Sequence, residues 1–146
     1  MAKEIERTFL VTDDSFKAIS INSVHIIQGY LNRDPERTVR LRIADDHAFL
    51  TVKGKTIGFV RDEFEYEIPF EDGMKMLELC SGRVLNKTRY IVPYKGHVWE
   101  VDEYHNDLAP LIVTEVELDY QDEIIDIPPF AGKEVSGDPR YFNSQL

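Results

Sequence analysis

Apolar and polar residues alternate at every second position through most of this chain, the pattern of strands whose two faces meet different surroundings. The alternating segments run over residues 4–11, 25–31, 38–44, 48–53, 59–69, 84–94, 97–104 and 111–118. Turn chemistry separates them at Asp34-Pro35-Glu36, Asp45-Asp46, Gly54-Lys55 and Lys95-Gly96. The stretch Pro93-Tyr94-Lys95-Gly96-His97 reads as a tight hairpin. Helical patterning is sparse. Residues 13–19 predict one short helix with Thr12 as its cap. Residues 71–80 predict a better one, with acids at its start, apolar residues at helical spacing and Gly82 just past its end. Asp138-Pro139-Arg140 predicts the start of a third, with Pro139 at its first position. Asp126-Ile127-Pro128-Pro129-Phe130 reads as irregular. The expected fold is α+β and mainly β: about eight short antiparallel strands in a closed or nearly closed sheet, with a few helices packed outside.

Sorting each strand by face separates charge from apolar bulk. Glu4, Glu6 and Thr8 oppose Ile5, Arg7 and Phe9. Arg40 and Arg42 oppose Val39, Leu41 and Ile43, and Thr51 and Lys53 oppose Leu50 and Val52. Arg61, Glu63, Glu65 and Glu67 oppose Phe64, Tyr66 and Ile68. Lys87 and Arg89 oppose Thr88 and Tyr90, Glu100 and Asp102 oppose Trp99 and Val101, and Glu115 and Glu117 oppose Val116 and Leu118. An open sheet with its charged face in water accounts for any one of these strands. It does not account for the sorting by sign, with basic pairs on some strands and acidic groups on others. Helices covering the apolar face from outside would turn the ionic face inward. Converging Arg and Lys then suit a polyanion, because the guanidinium fork matches phosphate oxygens. Converging carboxylates suit a hard divalent cation such as Mg²⁺.

Composition narrows the picture. A chain of 146 residues with 42% hydrophobic and 30% charged residues is expected to form a single globular domain over 1–146. The net charge is -10. That is a poor footprint for nucleic acid but no bar to an anion in a locally basic cleft. Cys80 is the lone cysteine, so no internal disulfide and no Cys/His zinc spacing arise. Neither a signal peptide nor a long apolar run is present, and the expectation is a cytoplasmic protein without membrane or nucleic-acid partners. The oligomeric state is open, a homodimer included. His25, His47, His97 and His105 are scattered and read as strand or loop residues, and Cys80 reads as a buried hydrophobe.

These motifs, in this order, resemble the CYTH superfamily of triphosphate tunnel metalloenzymes, in its short bacterial form. Glu4-Ile5-Glu6-Arg7 resembles the opening signature and Thr38-Val39-Arg40-Leu41-Arg42 the paired-arginine strand. Leu50-Thr51-Val52-Lys53-Gly54 and Arg61-Asp62-Glu63-Phe64-Glu65 resemble the lysine and Arg-x-Glu-x-Glu strands. Lys87-Thr88-Arg89, Trp99-Glu100-Val101-Asp102, Glu115-Val116-Glu117 and Gly132 to Asp138 complete the series. The resemblance implies an eight-stranded antiparallel closed β-barrel, a tunnel, with a small-molecule triphosphate substrate and a Mg²⁺ or Mn²⁺ cofactor. It implies metal ligands at Glu4, Glu6, Glu115 and Glu117. It places phosphate contacts on Arg40, Arg42, Lys53, Lys87 and Arg89, with Arg61 in support. The implied catalytic group is Glu4, Glu6, Arg40, Arg42, Lys53, Lys87 and Arg89, and Glu63, Glu65, Glu100 and Asp102 join the substrate-binding set. One departure stands out. The signature Glu-x-Glu-x-Lys has Thr8 in place of its lysine. Hydrolysis of inorganic tripolyphosphate is the expected activity. A class IV-type adenylate cyclase, or a non-catalytic binder of polyphosphate or nucleotide, is the alternative.

Overall fold

The structure is a computed structural model that describes residues 3–146; Met1 and Ala2 of the expected domain lie outside the described residues. The strands are β1 (Lys3–Val11), β2 (Asn22–Asn32), β3 (Arg37–Ala44), β4 (His47–Gly54), β5 (Val60–Ile68), β6 (Ser81–Tyr94), β7 (His97–Tyr104), β8 (Ile112–Glu117) and β9 (Ala131–Glu134). Two short helices interrupt them, α1 (Phe16–Ile19) and α2 (Phe70–Met76). All eight expected strands form, each within a few residues of its alternating segment. They pair antiparallel in the ring β1-β5-β4-β3-β2-β6-β7-β8, which closes back on β1. No helix among the described residues is long and apolar enough to cross a membrane.

Closure at β5 is brief. Lys3, Glu4 and Ile5 pair with Asp62, Arg61 and Val60, and the Glu6 N–H donates to the Phe59 carbonyl at 3.1 Å. Beyond that point β1 leaves β5 with its edge bare. The C-terminal segment fills it. The Thr8 N–H donates to Ser136 Oγ at 2.9 Å, and the Thr8 carbonyl accepts from the Val135 N–H at 2.8 Å. Strand β9, which the alternation did not predict, pairs with Phe9 and Val11. Gly132 permits this approach, since a Cβ there would lie 3.2 Å from the Leu10 carbonyl oxygen and closer still to Thr12.

The apolar core lies outside the ring. Phe9, Val92, Trp99, Val101 and Val116 come from the outward positions of β1, β6, β7 and β8, and Leu118 follows directly after β8. Phe16 of α1 and Phe130 cover them, and Phe16 stacks edge-on against both Tyr90 and Phe130. One end of the lumen is also apolar. Leu85, Tyr104 and Val113 share the inward pleat with the ionic rows and pack with Leu10 and the C-terminal Leu146.

The helices differ from expectation. The first spans Phe16–Ile19 and starts at Ser15, not Thr12. The Thr12 hydroxyl bonds the Phe130 carbonyl at 3.3 Å instead of capping, and Asp13 accepts from the Ser15 N–H at 2.9 Å. The second ends at Met76, and a 3-10 turn carries Leu77–Leu79. Gly82 is not its terminator. It opens β6 with φ 71° against the Arg33 guanidinium. The expected third helix is a pair of 3-10 turns, Pro139–Tyr141 and Asn143–Gln145, the first capped by Asp138 accepting from the Arg140 N–H. The hairpin at Lys95-Gly96 forms as expected, with both residues at positive φ as a type I′ turn requires.

Gly73 is where α2 touches the barrel. A Cβ there would overlap Ala48 Cβ and lie 3.1 Å from Ile43 Cδ1. Helix propensity alone favours Gly→Ala by about 1 kcal/mol. Overpacking opposes it by about 1–3 kcal/mol. Gly73→Ala is therefore expected to lower stability by up to about 2 kcal/mol, read as a lower denaturation midpoint in urea at unchanged slope.

Candidate active site

The pleat sets the direction of every charged side chain. Arg40 pairs across β3–β4 with Thr51, Thr38 pairs with Lys53, and Lys53 in turn pairs with Glu63 on β5. Arg89 pairs with Asp102 across β6–β7, and Glu100 pairs with Glu115 across β7–β8. Directly paired residues share a face, so one inward position fixes the whole ring. The lumen holds a cavity of about 240 Å³. Twelve of the expected site residues line it: Glu4, Glu6, Arg40, Arg42, Lys53, Arg61, Glu63, Glu65, Arg89, Glu100, Glu115 and Glu117. Lys87 and Asp102 do not. Both are inward but lie toward the apolar end of the lumen beside Tyr104, with Lys87 fully buried.

The basic side is built on β3 and β6. Arg89 forks onto Asp102, with Nε and Nη2 at 2.8 and 3.0 Å, and Lys87 Nζ lies 2.7 Å from the same carboxylate. Burial favours a neutral Asp102, but Arg89 and Lys87 override it and hold its pKa below the usual carboxylate range. Burial also pushes Lys87 down to about 7, with Arg89 and Arg42 adding to the push and Asp102 resisting it. Arg40 donates to Glu65 at 3.1 Å and to Thr51 at 3.2 Å, while its buried Nε has no partner among the described residues. Arg42 is different. Its Nε donates to Gln28 Oε1 at 3.1 Å, and among the described residues no carboxylate lies within 4.0 Å of it. Burial, Arg40 and Arg89 together push its pKa down to about 9, so it stays charged at neutral pH while poorly compensated.

The acidic side is built on β1, β8 and β7. Glu6 pairs directly with Glu117, Thr8 with Glu115, and Glu115 with Glu100. Like charges directly opposite one another destabilise a sheet. Burial raises the Glu6 pKa well above the carboxylate range, and Glu115 and Glu4 raise it further. Burial and then Glu4, Glu63 and Glu100 raise that of Glu117. The Lys53 ammonium lies 3.1 Å from both Glu4 oxygens and 3.3 Å from Glu63. Among the described residues, no three carboxylate, imidazole or thiol groups are already gathered as a metal cage. The chemistry of the donors nonetheless fits a hard cation. They are all carboxylates, they repel one another, and oxygen ligands are what Mg²⁺ and Mn²⁺ take.

Several lumen residues escaped the sequence reading. Gln28 and Tyr30 carry no charge, yet they lie between the two basic strands, and Gln28 Nε2 donates to the Tyr30 hydroxyl at 3.0 Å. Their signal was their inward parity with Ile26. Tyr141, Asn143 and Ser144 also line the cavity. Asn143 accepts from the Tyr104 hydroxyl and lies 3.5 Å from Lys87 Nζ, and Arg33 holds the Ser144 carbonyl at 2.8 Å. No alternation marks that tail. The histidines take structural partners, His25 with Asn86, His47 with Glu67, His97 with Glu123 and His105 with Thr88. Cys80 is half-buried and donates to the Met76 carbonyl at 3.6 Å.

A closed antiparallel ring with opposed basic and acidic walls has relatives. The CYTH domain model matches residues 2–142. A protein of Acetivibrio thermocellus named inorganic triphosphatase is 42% identical over 147 residues, covering 100% of this chain and 94% of its own length. A Nitrosomonas europaea protein of the same name is 34% identical, covering 98% of this chain and 95% of its own length. The crystal structure of the inorganic triphosphatase NE1496 superposes with a TM-score of 0.68 at 32% identity, over 97% of this chain and 95% of that one. The PH1012 protein from Pyrococcus horikoshii OT3, at 16% identity and a TM-score of 0.63, shares the fold. By its ring of strands and by a family match that runs nearly end to end, the chain belongs to the CYTH domain family.

Proposed function

We propose that this chain is a metal-dependent triphosphatase that hydrolyses inorganic tripolyphosphate to phosphate and pyrophosphate. One observation carries the reading. Arg42 is a half-buried guanidinium beside Arg40 and Arg89 that has, among the described residues, no carboxylate within 4.0 Å, and it stands in the wall of a cavity large enough for a small anion. A fold tolerates such a charge when a ligand completes it. The relatives named inorganic triphosphatase support the choice of ligand.

Arg40, Arg42 and Arg89 would hold the phosphate oxygens through paired N–H donors and keep the chain of phosphorus atoms extended. Asp102 positions Arg89 from behind by its two-point contact. Gln28 and Tyr30 orient Arg42. Glu4, Glu6, Glu115 and Glu117 would hold Mg²⁺ or Mn²⁺, which when bound neutralises charge on phosphate oxygens and polarises water. The remaining carboxylates, Glu63, Glu65 and Glu100, hold Lys53, Arg40 and Arg89 respectively. Thr8 leaves Glu115 without the cation that the family signature would set beside it. The apolar cluster around Leu146 and the tail at Tyr141–Ser144 close in on one side of the cavity, where a nucleoside would need room.

Three outcomes test this. With Mg²⁺ or Mn²⁺, tripolyphosphate is expected to give phosphate and pyrophosphate, measured by malachite green, faster than ATP gives cyclic AMP; the reverse order would favour a cyclase, and metal-dependent phosphate release at background level would favour a binder. Glu6→Gln is expected to lose metal-dependent turnover while stabilising the metal-free fold at neutral pH. The sign follows from linkage. A carboxyl whose folded pKa is raised contributes stability below the ordinary carboxylate range and loses it as pH rises through the raised value. The amide never ionises, so the variant should lack the decline in melting temperature that the wild type shows over that window. Arg42→Met is expected to raise the stability of the free protein by ~1–3 kcal/mol and to abolish the rise in melting temperature that tripolyphosphate induces.

A further inference from the structure

Lys53 occupies an unusual place. It comes from β4, next to the basic strand β3, but reaches across β5 to the acidic wall, where its ammonium spans both oxygens of Glu4 at 3.1 Å and touches Glu63 at 3.3 Å. Lys53 and Glu4 are each close to nine-tenths buried, so solvent screens this pair weakly. The contact turns Glu4 toward β4, and among the described residues no three carboxylates stand together as a metal cage. An ammonium chelated by two carboxylates sits where a hard cation would sit. A cation seeking Glu4 meets a charge of its own sign.

We propose that Lys53 is a built-in counter-ion that a divalent metal displaces from Glu4, so that metal entry hands the freed ammonium to the phosphate side of the tunnel. The proposal rests on the reading that Glu4 and its neighbours take the metal. Its logic is an exchange of partners. In the free protein Lys53 neutralises Glu4 and Glu63 and keeps the acidic wall from repelling itself apart. When metal takes Glu4, Lys53 loses its strongest contact. Thr38, its cross-strand partner on β3, and Arg40, one pleat further along, face the cavity. Metal and anion binding are then coupled positively, since an anion that draws Lys53 away also clears Glu4 for the metal. A fixed structural ion pair clamping the short β1–β5 seam would instead resist metal and stay in place.

The test needs no substrate, so it stands apart from the question of hydrolysis. Mn²⁺ binding to the free full-length protein is measured by titration calorimetry for wild type, Lys53→Met and, as a control, Lys75→Met on the outer face of α2. Lys53→Met is expected to bind Mn²⁺ about tenfold or more tighter than wild type, as removal of a cation about 4 Å from the incoming charge implies. The control is expected to match wild type within about twofold. Unchanged or weaker Mn²⁺ binding by Lys53→Met overturns the proposal. Nitrogen-15 lysine NMR of the wild type gives a second reading should that variant fold poorly. The Lys53 Nζ resonance is expected to shift on saturation with Mg²⁺ while that of Lys75 holds still, and an unmoved Lys53 resonance also overturns it. Tripolyphosphate turnover without Lys53 displacement would leave the triphosphatase reading standing and remove this one. Displacement without turnover would do the opposite.

Discussion

Everything in this fold follows from putting charge inside a closed ring of strands. Two like charges about 4 Å apart in a medium of effective dielectric about 20 repel by roughly 4 kcal/mol. The ring forces such neighbours together, because directly paired residues share the lumen: Glu6 with Glu117, and Glu115 with Glu100. The protein relieves part of this internally. Asp102 serves two cations at once, and Lys53 crosses to Glu4 and Glu63. The relief is incomplete on both walls. Among the described residues Arg42 has no carboxylate, and Glu6 no cation, within 4.0 Å. A bound polyanion and a bound metal would correct these two deficits together, which is why one ligand pair accounts for both.

Such a lumen contributes little hydrophobic stabilisation, so the apolar core has to lie elsewhere. It lies on the outward pleat of β1, β6, β7 and β8, under Phe16 and Phe130. This division explains why the loop before β9, short of regular structure, is still anchored. Phe130 is a buried core residue, and the segment beyond it supplies the hydrogen bonds that the bare edge of β1 needs. The outward face is not uniformly covered. On β4 and β5, Val52, Phe64 and Tyr66 remain exposed, away from the side that α1 and Phe130 cover.

The alternation of residues was enough to predict eight strands and their inward faces, because a period of two is a direct consequence of the pleat. Arg40, Arg42, Glu4, Glu6, Glu115 and Glu117 could be assigned to one wall or the other from parity alone. What parity cannot give is depth. Lys87 and Arg89 are two apart on one strand, yet Lys87 is sealed deep in the lumen by Asp102, Tyr104 and Asn143 while Arg89 lines the cavity. Uncharged inward residues were overlooked for a related reason. Gln28 and Tyr30 have the right parity, but a search for charge passes over them. The tail was missed because its contacts are tertiary: Arg33, 111 residues away from Ser144 in sequence, is what holds it. The helix ends were misplaced where a side chain had a better partner than the cap, as Thr12 does in Phe130.

Thr8 shows how the two levels meet. Its side chain is inward, opposite Glu115, and carries no charge where the signature has a lysine. Its backbone, by contrast, is tied on both atoms to the C-terminal segment. The position is thus fixed by the seam of the barrel and not by its own side chain, so the chain there tolerates a change of side chain without a change of fold. The cost falls on charge. With no ammonium at this position, Glu115 adds to the burden on Glu6, and the acidic wall depends more heavily on Lys53 for its neutralisation. A lysine at position 8 would relieve Glu115 directly and share the work of Lys53. In this chain Arg89 meets only the Glu100 end of the wall, and the charge of Glu4 and Glu63 is balanced by one flexible side chain reaching over from β4.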